Sequence, residues 1–240
     1  MRMPAVRGVI DRRILVNYRV DPAVAAAALP APFRPQLVNG AAMAGICLIR
    51  LKQIRPAFLP LPVGIGSENA AHRVAVEWDA DGERRTGVFI PRRDTSSRLN
   101  ALVGGRVFPG VHHHARFEVH ESGDRLSVAF RSDDGAASIA VTVRPGKELP
   151  ADSAFASAAE ASAFFEAGSL GYSATAEPTR FDGLELCCDG WAVEPLAVES
   201  VRSAYFEDET RFPPGSVAFD HALLMRGVPH SWHGRADVRG

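Results

Sequence analysis

The most constraining feature of this sequence is a strict alternation of apolar and polar side chains along two neighbouring segments near the middle of the chain. Apolar residues occupy every second position of 126–131 and again of 138–144. A period of two is that of a β-strand with one buried face, and the short polar stretch between the two segments suits a turn. We therefore predict two half-buried antiparallel strands here.

Strand-forming composition extends along most of the chain. Segments rich in β-branched and aromatic residues, separated by Gly, Asp and Pro, lie at 13–20, 42–54, 70–78, 86–91 and 113–120, and further strands are expected between 170 and 206. The alternation of strands with long helices that a doubly wound sheet requires is absent. The pattern predicts an α+β protein, mainly antiparallel β, built on a large sheet or barrel.

Helices are expected to be few and short. Three are predicted, and each begins at a residue whose side chain can accept hydrogen bonds from the first backbone amides. The expected caps are Asp21, Asp94 or Thr95, and Ser157. No repeat and no low-complexity linker divides the chain, so residues 1–240 are predicted to form a single domain.

Charge and terminal composition exclude several classes of partner. The chain has 27 basic and 28 acidic residues, a formal net charge of -1, which provides no field to hold nucleic acid or an anionic membrane surface. The N-terminal residues lack the apolar stretch of a signal peptide, and no segment approaches the roughly 20 apolar residues of a membrane span. We therefore expect a cytoplasmic protein with neither nucleic acid nor membrane as a partner.

Familiar cofactor signatures are also missing. The sequence contains no GxxxxGK(S/T), GxSxG, HExxH or CxxC motif, so no cofactor is assigned, and the three cysteines are expected to have packing roles. Only Lys52 and Lys147 could supply the amine that Schiff-base catalysis requires. Lys147 lies in a turn, and Lys52 is expected at a strand end with its amine reaching solvent.

A histidine-rich segment, 110–120, is the first candidate site. Read as a strand, it places His113 on one face with Ala115, Phe117 and Val119, so this imidazole should point into the core or a cavity. A histidine there can exchange a proton near neutral pH or orient a carboxylate, which makes His113 a candidate catalytic residue. The alternative is a core imidazole that is hydrogen-bonded to its neighbours.

The opposite face of the same segment carries an HxH pair, His112 and His114. This spacing occurs in metal sites, but a third ligand is needed, and Glu118 and His120 lie too far along the strand. We therefore predict no metal site, and we expect this face to be solvated.

A second polar cluster precedes and enters the strand at 70–78. Glu68 and His72 share one parity with Val74, so a carboxylate and an imidazole can face the same interior, unless Glu68 lies in the preceding loop. Several arginines flank these segments, and a guanidinium can bind a carboxylate through two hydrogen bonds. They are Arg50, Arg55, Arg92, Arg93 and Arg98. The histidines near the C-terminus, at 230 and 233, are expected in a packed tail.

The run at 105–115, Gly-Arg-Val-Phe-Pro-Gly-Val-His-His-His-Ala, resembles the acetoacetate decarboxylase segment that reads roughly G-R-E-x-x-G-x-P-K-K-x-A. Nearly the whole chain resembles a bacterial family, domain of unknown function 2071, which is related to that decarboxylase superfamily. The features that carry this resemblance are Asn17-Tyr18, 20–22, Leu29-Pro30, 36–40, 50–56, Glu68-Asn69 with Arg73, 87–89, 94–99 and 191–195.

The resemblance implies a decarboxylase-like β-barrel or cone with a small-molecule cavity inside. It aligns His113 with the Schiff-base lysine and His114 with the neighbouring lysine. An imidazole cannot form the iminium that accepts the electrons released by decarboxylation, so a Schiff-base mechanism is excluded at that position. On this reading Glu68 assists His113, Arg73 holds a ligand carboxylate, and His72, His114 and Tyr18 are further ligand-binding residues.

Three functions remain open at this point. The first is a lyase-like enzyme acting on a small oxo or hydroxy acid, which requires the polar side chains to converge in one pocket. The second is a non-catalytic carrier or sensor for an apolar or carboxylate ligand, with a mostly apolar lumen in which His113 only orients the ligand. The third is a structural protein whose lumen is filled by side chains. The oligomeric state is also open, although an exposed sheet edge would favour a homo-oligomer.

Overall fold

The computed structural model describes residues 5–58, 64–104 and 109–240. The strands in these ranges are β1 (Val6–Val20), β2 (Arg34–Pro35), β3 (Leu37–Val38), β4 (Ala41–Pro56), β5 (Ile65–Ala80), β6 (Glu83–Thr95), β7 (His112–Ser122), β8 (Arg125–Ser132), β9 (Ser138–Pro145), β10 (Leu170–Ala174), β11 (Arg180–Cys188), β12 (Glu194–Ser203) and β13 (Val217–Arg239). The helices are α1 (Pro22–Ala28), α2 (Arg98–Val103) and α3 (Ala158–Ala167). None of these helices is long and apolar enough to cross a membrane.

The strands form one sheet that closes on itself twice. The first closed circuit, ring A, runs β6-β7-β8-β9-β12-β13-β1-β4-β5 and returns to β6. The second, ring B, runs β6-β10-β11-β13-β1-β4-β5 and also returns to β6. The two rings share β13, β1, β4, β5 and β6, which we call the shared wall. The sheet is therefore ring-like and is not a regular barrel.

Both faces of the shared wall are buried, because each face lines a different ring. Along β1, Ile14 and Val16 belong to a core that includes residues of β7, β8, β9 and β12, whereas Leu15 belongs to a core that includes residues of β11 and α3. Along β4, Ile46 and Cys47 are divided in the same way. Continuously apolar strands, rather than alternating ones, are the expected sequence for a sheet with two dry faces.

The helices cover the ends of the rings. Asp21 caps α1 by accepting hydrogen bonds from the amides of Ala23 and Val24. Ser157 caps α3, whose Phe165 packs into the ring B core. The structure corrects the expected start of α2, because the cap is Ser97, while Asp94 and Thr95 still belong to β6.

The mainly antiparallel α+β architecture predicted from the sequence is confirmed, with strands that run further than expected. The largest omission is β13, a 23-residue strand that occupies the region expected to be a packed tail. It pairs with β1, β11 and β12, so it joins the two rings. Part of the decarboxylase-like motif, residues 105–108, lies outside the described residues.

Because both faces of the shared wall are buried, truncating a side chain on either face should destabilise the protein. We expect Ile14→Ala and Leu15→Ala, which alter consecutive residues on opposite faces, each to lower the free energy of unfolding by about 2–4 kcal/mol, because each leaves a cavity in a packed core. Leu37→Ala, at an exposed leucine, should change it by less than about 0.5 kcal/mol. Urea unfolding measures all three. A sheet with one wet face would give a large effect for only one of the two consecutive residues.

Candidate functional site

His113 lies on the ring A face of β7, as its parity predicted, but at the open end of the strand. Its strand neighbour on that face, Ala115, is fully buried, whereas 37% of the His113 side chain is exposed. The His113 Nδ1 atom is 3.1 Å from Asp134 Oδ2. The imidazole borders an open cleft of about 750 Å³, so it faces solvent rather than a closed lumen.

Glu68 does not meet His113. Its two carboxylate oxygens are bound by Arg12 Nη2 at 2.6 Å and by Arg50 Nε at 2.5 Å. Arg12 is completely buried and also binds Glu121 at 2.7 Å. The expected partnership of Glu68 with His113 is therefore wrong in geometry, because two guanidinium groups already hold this carboxylate.

His72 and Tyr18 both lie in the ring A core. The His72 imidazole is fully buried 4.2 Å from the Tyr205 ring, and neither ring nitrogen has a hydrogen-bond partner among the described residues. Burial lowers the pKa of His72 to about 3. Tyr18 stacks on Phe206 at 4.1 Å, and burial raises the pKa of its phenol. Their contacts are with packed aromatic side chains.

His114, His120 and the two lysines have side chains that reach the surface. His114 Nδ1 is 2.7 Å from Asp133 Oδ2, and His120 is exposed. The amine of Lys52 is 2.7 Å from Asp11 Oδ1, and Lys147 is exposed in its turn. Within 5–58, 64–104 and 109–240, no three side chains of metal-ligand type come together.

Arg73 lies on the other face of the wall, inside ring B, and is held by a buried chain of hydrogen bonds. An Arg73 terminal nitrogen donates to Asn17 Oδ1, and Asn17 Nδ2 is 2.9 Å from His221 Nε2. His221 Nδ1 in turn contacts Asp220 Oδ1. All four residues are buried, and the Arg73 guanidinium also lies 4.7 Å over the Phe165 ring. We call this set the Arg73 chain.

Two further arginines converge on the same interior. Arg13 Nε donates to Cys47 Sγ at 3.2 Å, and Arg93 Nε donates to Ser173 Oγ at 3.0 Å. Cys47 interacts electrostatically with both Arg73 and Arg93. In the described part of the chain, no carboxylate lies within ion-pair distance of Arg13, Arg73 or Arg93, and Arg73 Nε and Arg13 Nη1 are buried without a partner.

A cavity of about 90 Å³ opens beside Arg93. Its polar wall consists of Arg93, Asn69, Asn100, His112, Ser67 and Asp94, and the carboxylate of Asp94 is paired with Arg92 at 2.8 Å. The other lining residues are apolar. The sequence interpretation assigned His112 to a solvated face, and the structure corrects this, because the imidazole borders the cavity. Arg93 and His112 are register partners across β6 and β7, so the guanidinium and the imidazole are neighbours.

The protonation states in ring B follow from burial. Burial and the nearby Arg93 lower the pKa of His112 to about 4, so this imidazole is neutral at pH 7. Burial lowers the pKa of Arg73 and of Arg93 to about 10, and both groups remain cationic at pH 7. The cavity therefore combines the unpaired positive charge of Arg93, a neutral imidazole and the Asp94 carboxylate, which is paired with Arg92, in a largely apolar surrounding.

Solved structures of the same fold are acetoacetate decarboxylase-like. Acetoacetate decarboxylase from Legionella pneumophila subsp. pneumophila str. Philadelphia 1 aligns with a TM-score of 0.61 at 12% identity, over 98% of this chain and 88% of that one. The enduracididine biosynthesis enzyme MppR complexed with pyruvate gives 0.59 at 16% identity, over 98% and 91%. An acetoacetate decarboxylase-like enzyme from Sphingomonas wittichii RW1 gives 0.54 at 15%, over 99% and 92%. At sequence identities this low, the alignments show that this chain shares the fold of these proteins and nothing more.

The sequence itself identifies the family within this class. The family model DUF2071, described as an uncharacterized conserved protein, matches residues 10–219. The chain therefore belongs to this family, and the resemblance seen in the sequence is confirmed. A search of curated proteins finds no match.

The Arg12–Glu68 ion pair leads to a stability prediction. Glu68→Gln replaces one of the two carboxylates that Arg12 binds among the described residues with a neutral amide, so we expect the free energy of unfolding to fall by about 2 kcal/mol. Glu118→Gln is the control, because Glu118 is exposed on β7. Chemical denaturation at neutral pH compares the two. Equal stability of the two variants would contradict a structural role for Glu68.

His72 leads to a prediction of pH dependence. The unfolded chain binds a proton at this imidazole below about pH 6.5, whereas the folded protein, with its pKa near 3, does not. Stability is therefore lost as the pH falls from 6.5 toward 3, by up to about 1.4 kcal/mol per pH unit for this group. Between pH 6.5 and 5.0, His72→Phe should show a shallower decline than wild type. His120→Gln, at an exposed position, should leave the slope unchanged.

Proposed function

We propose that the protein binds a small carboxylic acid in the ring B cavity, with Arg93 as the partner of the carboxylate. The observation that carries the proposal is the set of three arginines inside ring B, Arg13, Arg73 and Arg93, none of which forms an ion pair among the described residues. Asp182 interacts electrostatically with Arg93 but does not pair with it. This assignment keeps Arg73 from the sequence analysis as part of the ligand site and moves the centre of the site away from His113 and Glu68.

Electrostatics favours an anionic ligand in this cavity. Removing a guanidinium from water costs several kcal/mol unless an opposite charge or hydrogen bonds replace the water. The only hydrogen bond that Arg93 makes among the described residues uses Nε. Its two terminal nitrogens thus remain available for the paired hydrogen bonds that a carboxylate accepts. Arg73 and Arg13, deeper in the ring, add to the positive potential.

The size of the cavity limits the ligand to a few heavy atoms. About 90 Å³ is well above the 10–15 Å³ that one water needs and well below the roughly 300 Å³ at which pockets for drug-sized ligands begin. A nucleotide or a fatty acid does not fit this space. A three- or four-carbon acid does, and its apolar end would contact side chains such as Leu51 and Trp232.

The structural relatives are consistent with this ligand class. MppR has been solved with pyruvate bound, and that protein shares the fold of this chain. Schiff-base chemistry is a poor assignment here, because Lys52 binds Asp11 and Lys147 lies exposed in its turn. Binding without a covalent intermediate is therefore the function that we assign. The alternative is lyase-type turnover of the bound acid, which the neutral His112 beside Arg93 would favour.

Thermal unfolding with a panel of small acids tests the proposal. At about a hundredfold excess over Kd, a ligand that binds only the folded state stabilises it by about 2.7 kcal/mol, which raises Tm by roughly 5–10 °C. We expect such a shift with pyruvate, lactate or acetoacetate, and none with the amide of the same acid. NMR of the same mixtures detects any turnover.

The decisive variant is Arg93→Gln, which should fold but lose the shift. Arg116→Gln is the matched control, because Arg116 is an exposed arginine of β7. It should respond as wild type does. If no acid shifts the wild-type Tm, or if Arg93→Gln responds fully, the proposed site is wrong. Arg93→Lys, which keeps the charge and loses the paired donors, should show a reduced shift.

A further inference from the structure

The position of His112 suggests how the cavity distinguishes between acids. His112 and Arg93 are register partners on β7 and β6, and both border the cavity. A ligand whose carboxylate is bound by Arg93 therefore brings its next carbon atoms beside this imidazole. The groups that His112 presents to the cavity determine which substituent can lie there.

One hydrogen bond fixes which ring nitrogen carries the proton. His112 Nδ1 is 3.0 Å from the backbone oxygen of Gly110. A carbonyl oxygen can only accept, so Nδ1 must be the donor and must carry the hydrogen. Because the ring is neutral at pH 7, Nε2 then carries a lone pair and can only accept. The second nitrogen of His112 is thus a hydrogen-bond acceptor.

The surroundings of the ring keep it in this orientation. A Cβ atom added at Gly104 would lie 2.6 Å from His112 Nδ1 and 2.8 Å from His112 Cβ. The backbone of Gly104 thus lies directly against the Nδ1 edge of the imidazole, and only a residue without a side chain leaves room for the ring in its position beside Gly110. The donor remains at Gly110, and the acceptor remains on the other side of the ring.

The rest of the polar wall offers more acceptors than donors. Asn69 Nδ2 already donates to Ser67 O at 3.1 Å. Asn100 donates through Nδ2 to Ser67 Oγ, and its Oδ1 has no partner among the described residues. Besides the Arg93 guanidinium and the second N–H of Asn100, the polar wall therefore presents acceptors, which include Asn100 Oδ1 and the Asp94 carboxylate. A ligand hydroxyl group can supply a hydrogen to such an acceptor.

We propose that the cavity selects small 2-hydroxy acids over the corresponding 2-oxo acids, with His112 as the specificity-determining acceptor of the hydroxyl proton. The inference rests on the proposed function, because Arg93 must first hold the carboxylate. A hydroxyl group donates to Nε2, whereas a keto oxygen would place one acceptor against another and leave both unpaired. No covalent step is involved.

The test compares two acids that differ only in this group. Titration calorimetry with lactate, as both enantiomers, and with pyruvate measures the affinity ratio. We expect the better enantiomer of lactate to bind at least about tenfold more tightly than pyruvate, as one satisfied hydrogen bond against one unpaired acceptor implies. In ¹⁵N-histidine spectra, the His112 Nε2 signal should be that of an unprotonated nitrogen and should shift when lactate binds.

The variant that isolates His112 is His112→Phe. It removes the acceptor and keeps a ring, so the preference for lactate should fall to about equal affinity while pyruvate still binds. His120→Phe, at an exposed site on the same strand, should retain the wild-type ratio. The inference would be overturned if wild type bound pyruvate as tightly as lactate or more tightly. If binding were still lost in Arg93→Gln, the proposed function would stand. Absence of binding by either acid would overturn both.

Discussion

The rest of the structure depends on the shared wall, whose five strands lie between the cores of the two rings. Because the central parts of β1 and β4 lie between two cores, consecutive side chains there are buried although they point to opposite faces. Polar groups on such a wall need partners inside the protein, since an unpaired buried polar group is costly. Arg12 finds two carboxylates in ring A, and Asn17 joins a hydrogen-bonded chain in ring B. The arrangement of charges follows from this requirement.

The two rings satisfy the requirement in opposite ways. In ring A, positive and negative groups are paired, as in the cluster of Arg12, Arg50, Glu68 and Glu121, and the interior is filled by aromatic side chains. In ring B, Arg13, Arg73 and Arg93 form no ion pair among the described residues, Arg73 reaches the Asp220 carboxylate only through Asn17 and His221, and a small cavity remains. A chain with nearly balanced charge overall can therefore concentrate positive charge in one interior. Net charge, which excluded polyanionic partners, gives no information about such a local field.

Sequence patterns predicted the fold better than the site. Alternation identified β8 and β9, and the parity of β7 correctly placed His113 with Ala115. Parity could not show that His113 lies at an open strand end, or that Glu68 is held by Arg12, a residue 56 positions away. It also failed for His112, because both faces of this strand segment meet protein. The strand β13 was missed for the same reason, since a strand buried on both faces has no alternation, and its second half contains Pro, Gly and His.

The Arg73 chain has a consequence for how this protein can change. Its hydrogen bonds all point one way: Arg73 donates to Asn17, Asn17 to His221, and His221 to Asp220, whose carboxylate is anchored by Ser153 Oγ and the amide of Ala154. Replacing any one member removes a donor or an acceptor and leaves a buried polar group without its partner. Positions 17, 73, 220 and 221, scattered over most of the chain, are therefore energetically coupled, and the effects of substitutions at them are not additive.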